Sequence, residues 1–185
     1  VVGTGANDKL TSINLTSLAI EAEPWQNVVF RLGGNYRTLE SASPTFSLDY
    51  NTTTGVASEI KQYETNVSVS YFPGRKMTGF GVERRIANDY FARLFAQVTR
   101  GDKNILNSDF DYTKVQLSYT QPWQMGGFGR LFTTIEAGKT FGEVPLGLLS
   151  VIPGNQTYFS IYNTFSQLDF YEFVSDTYAS FHFEH

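Results

Sequence analysis

Apolar and polar residues alternate with period 2 along most of the chain, and the 3.6-residue spacing of an amphipathic helix is nearly absent. The pattern therefore predicts strands joined by turns. From Tyr63 to Phe72, Thr65, Val67, Val69 and Tyr71 oppose Asn66, Ser68 and Ser70. From Tyr90 to Arg100, Tyr90, Ala92, Leu94, Ala96 and Val98 oppose Phe91, Arg93, Phe95, Gln97 and Thr99. In YTKVQLSYTQPWQMGGFGRLFTTIEAG, Val115, Leu117 and Tyr119 oppose Lys114, Gln116, Ser118 and Thr120. Beyond a Pro-Trp-Gln-Met-Gly-Gly turn, Leu131, Thr133, Ile135 and Ala137 oppose Arg130, Thr134 and Glu136. A last run, Tyr178 to Glu184, groups Ala179, Phe181 and Phe183.

Upstream, a hairpin is expected from about Ile13 to Ala22, turning through Glu23 to Asn27 and returning from Val28 to Leu39. Residues 40–62 read mainly as loop, with one short strand around Thr45 to Tyr50. Pro73 to Lys76 reads as a tight turn into Met77 to Arg84. The segment 144–176 is rich in aromatic and turn residues. The expected count is about eight to ten strands in one domain spanning residues 1–185.

Alternation alone does not say which face meets water, because soluble sheets and membrane barrels both have one apolar and one polar face. Three features favour the membrane. Strands of about ten residues or more fit a tilted bilayer crossing. Tyr71, Phe72, Tyr90, Phe91, Tyr112, Tyr119, Trp123, Phe128 and Phe141 fall at strand ends, where interfacial girdles would sit. The polar faces mix charged residues with Ser, Thr, Gly and Gln, as a hydrated lumen would. The expected fold is thus an all-β, antiparallel transmembrane β-barrel. Its predicted lipid-facing residues are Val67, Val69, Leu94, Val98, Val115, Leu117, Tyr119, Leu131, Ile135, Phe181 and Phe183. Its predicted lumen-facing residues are Arg93, Gln97, Lys114, Gln116, Arg130, Glu136, His182 and Glu184.

Composition narrows the picture. Of 185 residues, 16% are aromatic and 41% hydrophobic, with a mean hydropathy of -0.23; no run approaches the roughly 18 apolar residues of a membrane helix. A net charge of -4 argues against a nucleic-acid partner. With no cysteine, disulfides and thiolate metal sites are excluded. VVGTGANDKL lacks the basic start and apolar core of a signal peptide, so a mature chain or internal fragment is expected. The chain also stops at FHFEH within an alternating strand, which predicts further strands and a larger barrel.

From about Gly81 onward, YFARLFAQVTRG, EAGKTFGEVPLGLL, IPGNQTYF and FYEFVSDTYASFHFEH resemble a family of Gram-negative outer-membrane proteins of unassigned function. In that family a carboxypeptidase-regulatory-like β-sandwich typically precedes a large β-barrel, itself distantly similar to the BamA-type superfamily. The resemblance implies location in the bacterial outer membrane, with the lipid bilayer and other outer-membrane proteins as partners. No clear copy of that superfamily's Arg-Gly-Phe barrel-loop signature is present, and the regulatory-like domain is absent from this chain.

Candidate chemistry is sparse. His182 and Glu184 point the same way on a strand while His185 points across, so at most two metal ligands converge locally; a lumen hydrogen-bond network is the favoured reading. The loop 102–111 alternates oxygen ligands suited to calcium but lacks EF-hand spacing, and reads as solvated. A Ser-His-Asp arrangement could involve only His182 or His185, with no nucleophile-elbow pattern in support. The sequons at Asn14, Asn51, Asn66 and Asn155 matter only in a eukaryotic secretory protein. Arg31, Arg37, Arg93, Arg130 and Glu136 are expected on lumen faces, with Arg-Glu pairing. No cofactor is expected. The function expected is a non-enzymatic scaffold, channel or accessory component in envelope transport or outer-membrane protein biogenesis. The alternatives are a membrane-embedded hydrolase built on His182 and a soluble β-barrel binding an apolar ligand.

Overall fold

A computed structural model of the chain describes residues 9–43, 45–52, 55–154, 164, 165, 168 and 172–185. Its main feature is one seven-stranded sheet in which every neighbouring pair is antiparallel. The strands are β1 (Thr11–Trp25), β2 (Val28–Ser41), β3 (Glu59–Tyr71), β4 (Arg93–Gly101), β5 (Tyr112–Gln124), β6 (Arg130–Phe141) and β7 (Thr177–Glu184). They lie side by side in chain order, a simple meander. Three small two-stranded ribbons decorate the connections: Tyr50–Thr52 with Gly55–Ala57, Met77–Thr78 with Arg85–Ile86, and Ser150–Val151 with Val174–Ser175. The all-β antiparallel expectation holds. Among the described residues the sheet is open, with β1 and β7 as its two edges.

Several boundaries differ from the sequence expectation for identifiable reasons. The first turn is only Gln26–Asn27, because Trp25 pairs with Val28. Asn27 takes φ of 68°, a left-handed conformation that Asn tolerates. Pro24, which lacks an N–H, sits in an irregularity of the ladder between Ala22 and Trp25. Likewise Pro122, expected in a turn, pairs with Phe132 inside β5. The strand is permitted there because β4 pairs no further along β5 than Thr120, leaving that end of β5 without a neighbour on one side. The turn is therefore Met125 to Gly129, with Gly126 and Gly129 at positive φ. β3 begins at Glu59 rather than Tyr63, the short strand of the preceding connection is Tyr50–Thr52, and β4 begins at Arg93 rather than Tyr90.

The registers place same-face residues in rows across the sheet. One row is Ala22, Phe30, Val69, Ala96, Leu117, Ala137 and Ala179; another is Val28, Tyr71, Leu94, Tyr119, Ile135 and Phe181. These apolar rows are exposed, with Leu117 at 53%, Ile135 at 50% and Phe181 at 60%. The opposite face is polar and covered: Gln62 is at 0%, Glu64 at 7% and Thr134 at 2%. An ordinary one-sided sheet buries its apolar face and wets its polar one. This sheet reverses that arrangement.

What apolar core exists sits at one end of the covered face. Leu39 and Ile60, paired across β2 and β3, meet Leu48 and Leu148 from the connections and Tyr112 from β5. Each such buried aliphatic side chain contributes roughly 1.5–3 kcal/mol, so this cluster ties the long connections to the sheet. Two glycines on the covered face are filled by tyrosines directly opposite them: Tyr112 over Gly101 and Tyr178 over Gly138. A Cβ on Gly138 would stand 2.5 Å from Tyr178 Cε1. Gly138→Ala is therefore expected to destabilise the fold by about 1–3 kcal/mol. Gly127→Ala, where a Cβ meets nothing within 4 Å, should be close to neutral; denaturant midpoints of the two variants check this.

Candidate functional site on the covered polar face

Polar side chains on a covered face need partners, and on β2, β3 and β5 they find one another. Glu64 of β3 forms an ion pair with Arg37 of β2 and accepts a hydrogen bond from the Tyr112 hydroxyl of β5. Arg37 Nη2 also donates to Tyr112 Oη at 3.2 Å. Next to this cluster, Gln62 caps a passing backbone: its Nε2 donates to the Phe110 carbonyl at 3.0 Å and its Oε1 accepts from Phe110 N at 3.1 Å. Tyr63 N donates to Ser108 Oγ at 2.7 Å, and Lys61 N to Asp109 Oδ2 at 2.7 Å. Since β4 stops opposite Glu64, the end of the 102–111 connection takes over as the hydrogen-bond partner of β3. Tyr50, edge-on to Phe110 at 5.0 Å, has its phenol pushed up to about 12 by burial and then by nearby Asp109. It stays a neutral donor, 3.3 Å from the Glu59 carbonyl oxygen.

Farther along the same face lies a cavity of about 590 Å³. Its polar wall includes Lys114, Gln116, Glu136, Tyr178, Ser180 and His182 from β5, β6 and β7, and its apolar wall comes from Leu149, Val151, Ile152, Pro153, Phe165, Leu168 and Phe173. Gln116 Nε2 lies 3.3 Å from Tyr178 Oη, and the His182 ring packs on Phe165 at 4.7 Å between centroids. Such a chamber, apolar on one side with a few convergent polar groups on the other, has the make-up of a small-molecule pocket.

The eight residues predicted to face a lumen all fall on this covered face by register. The cavity brings together Lys114, Gln116, Glu136 and His182. Gln97 pairs across from Gln116 and donates to Thr99. Arg93 and Arg130 instead lie over the rings of Phe91 and Tyr90, and Glu184 pairs opposite Phe132. The eleven predicted lipid-facing residues share the other face. The expected Arg-Glu pairing is found at Arg37, with Glu64 as partner; Glu136 is approached by Ser118 Oγ, at 3.5 Å.

Glu64 and Gln62 were missed, although Glu64 shares the parity of Asn66 and Ser68 and could have been read from it. Tyr112 and Phe91, expected in an exposed girdle, are instead buried, at 1% and 7%. Tyr112 is drawn inward by Glu64 and by the space over Gly101. In the 102–111 loop, expected to be solvated, the carboxylates accept from backbone amides: Asp102 from Asn104, Asp111 from Lys103 and Asp109 from Lys61. Among the described residues no group of three His, Asp or Glu is placed to hold a metal, and no hydrogen bond links His182 to a serine or aspartate. Asn66 is buried beside Gly33, out of reach of glycosylation, and Asn155 lies outside the described residues, as does much of the 144–176 stretch.

Fold and site together define a class: an antiparallel meander whose apolar face is exposed and whose polar face is covered and internally hydrogen-bonded. Residues 51–185 match a family described as "Family of unknown function (DUF5686) C-terminal domain", and the chain belongs to that family. No curated protein and no solved structure matches it.

The Arg37, Glu64 and Tyr112 cluster sets a stability test. Glu64→Ala leaves a largely buried guanidinium without its anion and should cost roughly 3 kcal/mol. Replacing Arg37 and Glu64 together by Met and Leu should recover most of that loss, as read from unfolding midpoints.

Proposed function

We propose that this sheet is a section of the wall of a bacterial outer-membrane β-barrel, with its apolar face against lipid and its polar face toward the lumen. In this reading the protein is non-enzymatic and serves as a scaffold or channel, or as an accessory component in envelope transport or outer-membrane protein biogenesis. The observation that carries the reading is the reversal of burial across the sheet.

Magnitudes favour lipid over water as the solvent of the apolar face. Six inter-strand steps of about 4.8 Å make the sheet about 29 Å wide. From Val115 to Trp123 the apolar parity of β5 runs eight residues, about 26 Å along the strand and about 20 Å high after a tilt near 40°. The face is thus about 29 Å by 26 Å, on the order of 750 Å², above what a soluble monomer ordinarily exposes, and its height is close to that of a barrel's lipid-facing band. Indole and phenol groups stand at the border of this band, where Trp123 Nε1 donates to Thr133 Oγ1 at 3.1 Å.

The chain has no cysteine, so a single introduced one carries a unique probe. A nitroxide at Leu117→Cys should collide with dissolved oxygen far more than with a water-soluble nickel chelate, and one at Gln116→Cys should show the reverse preference. Equal behaviour at the two sites in native membranes would sink the reading. Leu117→Lys should also cost roughly 2–4 kcal/mol, against little for Gln116→Lys.

A further inference from the structure

The connection 72–92 holds an arm whose sequence, RKMTGFGVERRI at residues 75–86, combines cations with apolar residues. Met77–Thr78 pairs with Arg85–Ile86, and the tip turns through Gly79 and Gly81 at positive φ into a short 3-10 turn, Gly81–Glu83. Phe80 is 93% exposed and Val82 fully so, with Ile86 half exposed. Two large apolar side chains thus stand in the open at the end of a short ribbon.

The root of this arm is well held. Phe72 N donates to the Asn27 carbonyl at 2.9 Å, Arg75 Nε to Asn27 Oδ1 at 3.0 Å, and Asn27 Nδ2 to the Arg75 carbonyl at 3.0 Å. Arg75 also pairs with Glu23 and lies over the Phe72 ring. On the other side of the ribbon, Asn88 accepts from Lys76 N at 2.8 Å and donates to the Gly74 carbonyl at 2.9 Å. An arm so anchored presents its tip with little further loss of conformational entropy on binding.

Charge says what it would meet. The three connections at this end of the sheet (26–27, 72–92 and 125–129) contain four cations and two acids, a net +2, while the described residues of those at the other end contain one cation and seven acids, a net -6. Exposed Trp25 and Phe128 stand at the same, positive end. Lys76, Arg84 and Arg85 flank the apolar tip, the combination that seats a segment in an anionic lipid interface: aromatic and aliphatic groups at the acyl boundary, cations among the headgroups. We propose that the arm is a membrane-surface anchor, inserting Phe80 and Val82 between anionic lipid headgroups that its cations recognise. The inference rests on the barrel-wall reading only in that the wall brings this end of the sheet to the bilayer surface.

The test uses an environment-sensitive fluorophore at Phe80→Cys in the whole chain, reconstituted into phosphatidylcholine vesicles with or without equimolar phosphatidylglycerol. Blue-shifted emission is expected with phosphatidylglycerol, largely lost without it and lost in an Arg84→Glu/Arg85→Glu background. The same fluorophore at Leu117→Cys reports independently on whether the sheet is embedded. An embedded Leu117 probe with a water-like Phe80 probe in both lipids would overturn the anchor and leave the wall standing. A water-like Leu117 probe with a shifted Phe80 probe would do the opposite. A Phe80 shift insensitive to phosphatidylglycerol and to the charge reversal, or one that appears only when other envelope proteins are present, would also overturn headgroup recognition.

Discussion

Polar side chains removed from bulk water must satisfy one another, and the organisation of the covered face follows from that demand. Its most exacting point is Glu64, a carboxylate at 7% exposure held by Arg37 from one neighbouring strand and by Tyr112 from two strands away. Tyr112 reaches it because the residue opposite, Gly101, has no side chain in the way. The same tyrosine belongs to the small apolar cluster that anchors the 42–58 and 142–149 segments. An ion pair, a glycine and a loop core are therefore coupled through one ring, and a change at any of them reaches the others.

Parity carried most of what was legible beforehand. Strand alternation is a local property, so the partition of Leu117 from Gln116, or of Phe181 from His182, follows from the period of the backbone and needs no knowledge of neighbours. Strand ends were harder. Pro122 and Pro24 look like turn residues in isolation, and only the place where the adjacent strand stops makes the interior of a strand open to Pro122. Phe91 and Tyr112 look like girdle aromatics until the space beside them is known. Glu64 shows the same limit: its parity was readable, but its partnership with Arg37 depends on the register of β2 against β3. Closure was beyond the reach of pattern altogether, because alternation describes a strand and not which strand lies beside the last one.

The two ends of the sheet divide their labour. At the acidic end, long connections fold back over the polar face and build the core and the 590 Å³ cavity. At the basic end the connections are two tight turns and one rooted arm, whose return through Asp89 and Phe91 meets Arg93, Thr120, Pro122 and Phe132 on the polar face. The polar face is thus approached from both ends, by long connections at one and by the return of a single arm at the other.

The tyrosines that lie over Gly101 and Gly138 bear on how such a sheet comes together. For two strands of alternating pattern, the closest competitor to the native alignment is a slip of two residues, which keeps every apolar group on its own side and so is scarcely opposed by hydrophobicity. A two-residue slip would set Tyr112 against Thr99 or Lys103, and Tyr178 against Glu136 or Thr140, where no notch receives the ring. Each glycine thus acts as the keyhole for one tyrosine, and the two fits between them fix the alignment of β4 with β5 and of β6 with β7. Misthreaded sheets that hydrophobicity would accept are rejected by shape.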